Sequence, residues 1–209
     1  MAYILGIKID EIYIYPLGGI SKFNMDLNIS INKELLILIN GPIFQHLAYL
    51  LLLILLPKYK GLINTYHYSI LMFNLLPIYP LDGGKLVKLL LNKIISYKRS
   101  LKILIYLSYL ITIILFIITK KNISIFIMIS LLLILITKER NKIDYIYNKY
   151  LLERYLNNYN FKSNKIINNI NKLYRDNNHI IHTNNKYYIE KEYLEKIYKN
   201  YWLINELLL

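Results

Sequence analysis

The chain has 209 residues, 56% hydrophobic and only 19% charged, which is too apolar for a soluble domain with a polar surface. Its formal net charge is +13, but only four of the 26 basic residues are Arg and the cations sit at the ends of apolar runs, so nucleic acid is not the partner this charge implies. Cysteine is absent, which excludes disulfides, thiol chemistry and Cys metal ligands.

In chain order, Ile7–Tyr15 is rich in strand formers, Pro16-Leu-Gly-Gly19 reads as a turn, and Ile20–Ile31 alternates. Residues 7–31 are therefore expected to form a short hairpin or a pair of strands. Four apolar runs follow, at 35–56, 62–81, 103–119 and 123–137, each at or near the length of a membrane-crossing helix. The first contains Gly41-Pro42, a pair that permits bending and close backbone approach. The second ends in Pro77 and Pro80, which lack backbone N–H groups and push the residues before them out of helical geometry, so the helix is expected to unwind there. Lys85–Lys102 reads as a basic, amphipathic connector.

With four crossings, the first, third and last polar segments share one side. That side holds 22 of the 26 cations, so both ends of the chain are expected in the cytoplasm and the protein in the cell membrane. After Thr137 a helix through Tyr150–Tyr155 leads to a polar tail. The tail is expected to carry a helix near Lys165–Arg175, a strand His179–His182, an Asn184-Asn185 turn, a strand Lys186–Ile189 and a helix Glu190–Tyr201. It is too small for a core of its own and is expected to dock elsewhere. The fold class is thus a mainly α, polytopic membrane protein with about four transmembrane helices, a short N-terminal β-hairpin and a small cytoplasmic α/β tail.

Asp82 is the first candidate for chemistry. A carboxylate just past an unwound membrane segment, followed by Gly83 and Gly84, suits zinc as a hard oxygen ligand beside imidazoles; the same Asp-Gly pair also suits a plain surface turn. Asn74 offers an amide inside the helix, for the site or for an interhelical hydrogen bond.

Asn74-Leu-Leu-Pro-Ile-Tyr-Pro-Leu-Asp-Gly-Gly84 resembles the N-P-D-G motif of the site-2 protease family of intramembrane zinc metalloproteases. Pro16-Leu-Gly-Gly19 is similar to the family's P-x-G-G loop, and Asn40–Leu47 to its A-G-P segment, all three in the family's order. The likeness runs over about residues 1–156, is nearest to a sporulation branch, and extends to Tyr150–Tyr155. It implies that residues 1–156 are a partial site-2-protease-like membrane domain whose hairpin is re-entrant. It implies Asp82 as the carboxylate zinc ligand and Asn74 as a positioner of substrate or metal-bound water. Pro16, Gly18 and Gly19 would hold an extended substrate strand. Residues 157–209 are similar to part of a CBS module. The partners implied are the lipid bilayer, a membrane-associated protein substrate and a regulatory membrane protein.

The chain departs from the family in one respect: it has no H-E-x-x-H, the motif that supplies two zinc ligands and a general base. Its histidines are His46, His67, His179 and His182; the first two read as interhelical hydrogen-bonding groups, and the last pair faces opposite ways on a strand. The resemblance places H-E-x-x-H directly ahead of Met1. That leads us to expect a start inside a longer gene, in preference to a degenerate gene, and inactivity of these residues by themselves. Two other readings share the features: a non-catalytic relative that binds membrane clients or regulates a protease, and a small transporter whose proline break lines a solute path.

Overall fold

The computed structural model describes residues 8–15, 18–24, 27–118 and 123–206. Strands β1 (Lys8–Tyr15) and β2 (Gly18–Asn24) form an antiparallel hairpin in which Tyr15 faces Gly18 and Lys8 faces Asn24, with an irregularity between Ile9 and Glu11. The expected hairpin is present; its turn residue Pro16 lies outside the described residues. Helix α1 (Ile31–Leu55) follows, its first turn capped by the Ser30 hydroxyl, which accepts from the Lys33 amide, and it runs through Gly41-Pro42 without a break.

The second apolar run behaves differently. Helix α2 (Lys60–Asn74) stops at Asn74, residues 75–81 are irregular with a cis Tyr79–Pro80 peptide, and α3 (Asp82–Ile94) starts at the aspartate. Helices α4 (Tyr97–Ile118), α5 (Ile123–Asn141) and α6 (Ile143–Leu156) complete the helical body. Most of the basic connector expected at 85–102 is therefore helix.

Among the described residues two helices, α1 and α4, are long and apolar enough to cross a membrane. The expected count of four is not met by this measure. The prolines cut the second run to a 15-residue helix, about 22 Å long against the roughly 30 Å of a hydrocarbon core. In α5 the apolar stretch meets Lys138, Glu139 and Arg140 before it reaches that length. Both candidate spans leave large apolar side chains exposed, among them Phe44, Leu51 and Ile54 on α1 and Leu110 and Ile118 on α4. Surfaces of that kind suit lipid or other helices rather than water.

The tail contains β3 (Ser163–Ile167), β4 (Asn177–Thr183), β5 (Lys186–Ile189) and α7 (Glu190–Glu206). Its sheet has the order β3-β4-β5, parallel between the first two and antiparallel between the last two. The expected helix at Lys165–Arg175 is not formed. That stretch is β3 followed by a short 3-10 turn at Ile170–Lys172, because Ile166 and Ile167 pair with Ile180 and Ile181 instead of stacking along a helix. The strand over His179–His182, the turn and the last helix are where the sequence put them. Asn184 and Asn185 both have positive φ, which Asn tolerates better than most residues.

The tail shares its core with the helical body. Ile78 from the irregular stretch, Tyr97, Leu101 and Ile105 from α4, Ile136 from α5, and Tyr147 and Tyr150 from α6 cluster with Ile167, Leu173 and Ile181 of the tail. Tyr97 and Tyr150 lie 4.4 Å apart between ring centroids. Two ring hydroxyls and one backbone amide tie this cluster to the tail: the Tyr150 hydroxyl donates to the Tyr174 carbonyl at 3.1 Å, the Tyr147 hydroxyl donates to the Ile170 carbonyl, and the Tyr97 backbone amide donates to the Leu173 carbonyl at 2.8 Å. Buried tyrosine needs such partners.

Candidate functional site

The site is built on the irregular stretch 75–81. Pro77 and Pro80 have no N–H, which leaves five amides to satisfy in a region where water cannot be relied on. All five are satisfied. Leu75 and Leu76 donate back to Leu71 and Phe73, Ile78 donates to Leu76, Leu81 donates to Ile78, and Tyr79 donates to the Ser108 hydroxyl of α4 at 2.9 Å. Ser108 in turn donates to the Leu104 carbonyl. Ile78 is fully buried, so the stretch is pinned by its side chain as well as by its backbone.

The two glycines explain why the motif can fold this way. A Cβ on Gly83 would lie 2.2 Å from the Leu75 carbonyl oxygen and 2.4 Å from that of Leu76. One on Gly84 would lie 2.5 Å from the Ile78 carbonyl and 2.6 Å from the Tyr79 nitrogen. The first turn of α3 is thus laid against the backbone of the irregular stretch, closer than any side chain would permit. Asp82 opens that turn, where the helix dipole favours negative charge. Its Oδ1 accepts from Lys85 Nζ at 2.9 Å, and its Oδ2 faces Gly41 across the α1–α3 contact, 3.7 Å from where a Cβ would sit. The carboxylate is 30% exposed and the ammonium 37%, so the pair contributes about 0–1 kcal/mol and does not bury the acid. Asn74 is the last residue of α2. Gly18 and Gly19 open β2, paired with Tyr15 and Ile14.

The histidines lie apart from this acid. His46 of α1 and His67 of α2 meet at 3.4 Å between Nδ1 and Nε2, and Tyr49 stacks on His67 with ring centroids 4.0 Å apart. They join the two helices as expected. Among the described residues no group of three or more His, Asp or Glu could hold a metal. Zinc needs at least three protein ligands, so the described residues do not by themselves form such a site.

A second polar cluster, at the junction of tail and body, was not singled out in the sequence. Arg154 of α6 is buried and donates to Asn28 Oδ1 at 3.0 Å, to the Asn177 carbonyl at 2.7 Å and to Glu190 Oε1 at 3.1 Å. Its guanidinium lies 4.9 Å from the Phe161 ring centroid. His179 Nε2 accepts from the Tyr174 amide at 2.9 Å, so in the neutral ring Nδ1 carries the proton and donates to Glu190 Oε2 at 2.8 Å. The signal available in the sequence was the use of Arg where Lys is the usual cation.

Burial lowers the His179 pKa below its ordinary 6.5, against the opposing pull of Glu190. The unfolded tail therefore binds a proton more readily than the folded one, so stability is complete above about pH 6.5 and falls as the pH drops below it. Acidifying from about pH 7.5 to about pH 5 is expected to increase protease cleavage in residues 160–190, by at most about 1.4 kcal/mol per pH unit. His179→Gln should flatten that dependence, and an unchanged slope in the variant would remove His179 as its source.

Comparison with known proteins finds a family likeness over part of the chain. Residues 58–118, which contain the irregular stretch, Asp82 and both glycines, match the model of Peptidase family M50, the site-2 protease class. More particularly, the chain is homologous to stage IV sporulation protein FB of Bacillus subtilis (strain 168) and to zinc metalloprotease MJ0392 of Methanocaldococcus jannaschii. It is 29% identical to the first over 158 residues, covering 71% of this chain and 55% of that protein. It is 33% identical to the second over 107 residues, 47% of this chain and 31% of that protein. The chain thus spans about half the length of one relative and a third of the other.

Proposed function

We propose that this chain forms the carboxylate-bearing part of an intramembrane zinc metalloprotease of the site-2 type, embedded in the cell membrane by several crossings with both ends on the cytoplasmic side. Its substrate is a membrane-associated protein. The observation that carries this reading is the mounting of Asp82: an acid at the start of α3, on a proline-broken stretch whose amides are all satisfied, with Oδ2 facing the bare Cα of Gly41. That is a rigid, partly open position for a ligand atom, and it falls inside the segment matched to the peptidase family.

In this reading Asp82 provides one oxygen to the metal and Asn74 orients the substrate or the attacking water. The hairpin with Pro16, Gly18 and Gly19 pairs with an extended substrate strand. Lys85 balances the Asp82 charge, and a metal bound there would take over that role. The histidine ligands and the glutamate base that the family's chemistry requires are not among these 209 residues. The rival is a non-catalytic relative that holds membrane clients on the same scaffold.

The test is the metal content of the longest reading frame that contains this chain, purified in detergent, beside its Asp82→Ala form. About one zinc per chain is expected in the first, with at least tenfold weaker retention in the second. Equal retention by both would defeat the assignment of Asp82. No zinc in either, or no H-E-x-x-H in that frame, would favour the client-binding reading.

A further inference from the structure

The turn Arg175-Asp176 joins the tail to two parts of the body at once. Arg175 is 3% exposed; its Nη1 pairs with Glu34 Oε2 at 2.5 Å, and its Nη2 donates to the Ile29 carbonyl. Asp176 Oδ2 accepts from the Ile31 amide at 3.0 Å, at the very start of α1. The other Glu34 oxygen, Oε1, accepts from Lys88 Nζ at 3.1 Å. Lys88 lies on α3 six residues beyond Asp82, about 9 Å along the helix axis. A single carboxylate therefore bridges the tail and the helix that carries the candidate ligand. The segment 27–31 that the turn grips from the other side is the link between the β1–β2 hairpin and α1.

Several details set this junction apart from ordinary packing. Asp176 has φ 55, a left-handed conformation held by the surrounding contacts. Arg175 Nε and Asp176 Oδ1 are buried without a hydrogen-bond partner among the described residues. Buried ion pairs add little net stability, because desolvation offsets attraction, but they fix geometry strictly. A junction that is strained and incompletely satisfied, yet precise, suits the transmission of position better than bulk cohesion. Cohesion between tail and body is already provided by Leu173, Tyr97 and Tyr150.

We infer that Glu34 is a relay: docking of the Arg175-Asp176 turn sets the position of Glu34, which through Lys88 sets the first turns of α3 and hence Asp82. Arg175, Glu34 and Lys88 are positioning residues in this scheme. Its bearing on catalysis rests on the peptidase reading, but the relay itself does not, and neither does its test.

The test is amide hydrogen exchange on the full chain in detergent or nanodiscs. Arg175→Ala is expected to speed exchange at residues 85–90 about tenfold, with amides near Leu104 of α4 unchanged. Lys88→Met should give the same increase in α3 while leaving residues 174–178 protected. In the Lys88→Met background, Arg175→Ala should then add nothing at α3, because the path is already cut. An unchanged α3 in Arg175→Ala, or an equal added effect in both backgrounds, would overturn the relay. If Arg175→Ala unfolds the tail outright, Arg175→Gln replaces it: it keeps an amide that can donate to the Ile29 carbonyl but gives up the charged pair with Glu34, and the same two outcomes decide.

Discussion

Alanine at position 84 is expected to destabilise the protein by about 3–5 kcal/mol, among the largest effects of any single methyl group in this chain. The reason is what the methyl would strike. Overpacking costs little when a flexible side chain can swing away, but the atoms 2.5–2.6 Å from the added carbon are the Ile78 carbonyl and the Tyr79 nitrogen. Neither can retreat. Ile78 is fully buried in the core, and the Tyr79 amide is bonded to Ser108. Relief must come from sliding α3 away from the irregular stretch, which carries Asp82 with it. The same argument applies to Gly83→Ala, aimed at Leu75 and Leu76. Gly61 gives the control: a Cβ there meets nothing within 4 Å, and helix propensity favours alanine by up to about 1 kcal/mol. Thermal unfolding in detergent should rank Gly61→Ala at or above the parent and Gly84→Ala far below it. Near-equal midpoints would mean that α3 does not lie against this backbone.

The second large effect is expected from Arg154→Ala, at about 3–5 kcal/mol. The loss is not of one ion pair. Truncation leaves Glu190 without its guanidinium, Asn28 Oδ1 without its donor and the Asn177 carbonyl with an empty side, all at a junction from which water is largely excluded. Arg154→Lys should recover only a small part, since one ammonium cannot serve three acceptors spread over three segments of the chain. The measurement is limited proteolysis of the tail together with urea unfolding. Arg154→Ala should release a fragment near residue 157 while α4 and α5 stay intact. Full rescue by lysine would show that charge, and not the planar fork, is what the site needs.

What could be read ahead of the structure follows from locality. The proline break, the β1–β2 hairpin, β4, β5 and α7 depend on residues within a few positions of each other, and turn chemistry marked them. The stretch Lys165–Arg175 misled because Ile166, Ile167, Ile170 and Leu173 fall at helical spacing, whereas the structure spends Ile167 and Leu173 on a core shared with α4 and α6. The deciding partner was the parallel pairing with β4, a tertiary fact that no local pattern encodes. The same holds for the junction. Arg154 and Arg175 meet Asn28 and Glu34 across 126 and 141 positions of sequence. Two of the four arginines are buried there, in a chain whose cations are otherwise nearly all lysine, and that choice of residue was the one visible trace. For the candidate site, Asp82, the glycines and the prolines were legible as a motif. Ser108 was not, although a hydroxyl in so apolar a helix carries a reason for being there.

The seven residues between α2 and α3 look at first like a place where the chain could swing. With every available amide engaged and Ile78 wedged among the helices and the tail, they are instead a fixed bracket. The acid it carries keeps one address in the protein, and any breathing of the molecule is left to the surfaces on the far side of that acid.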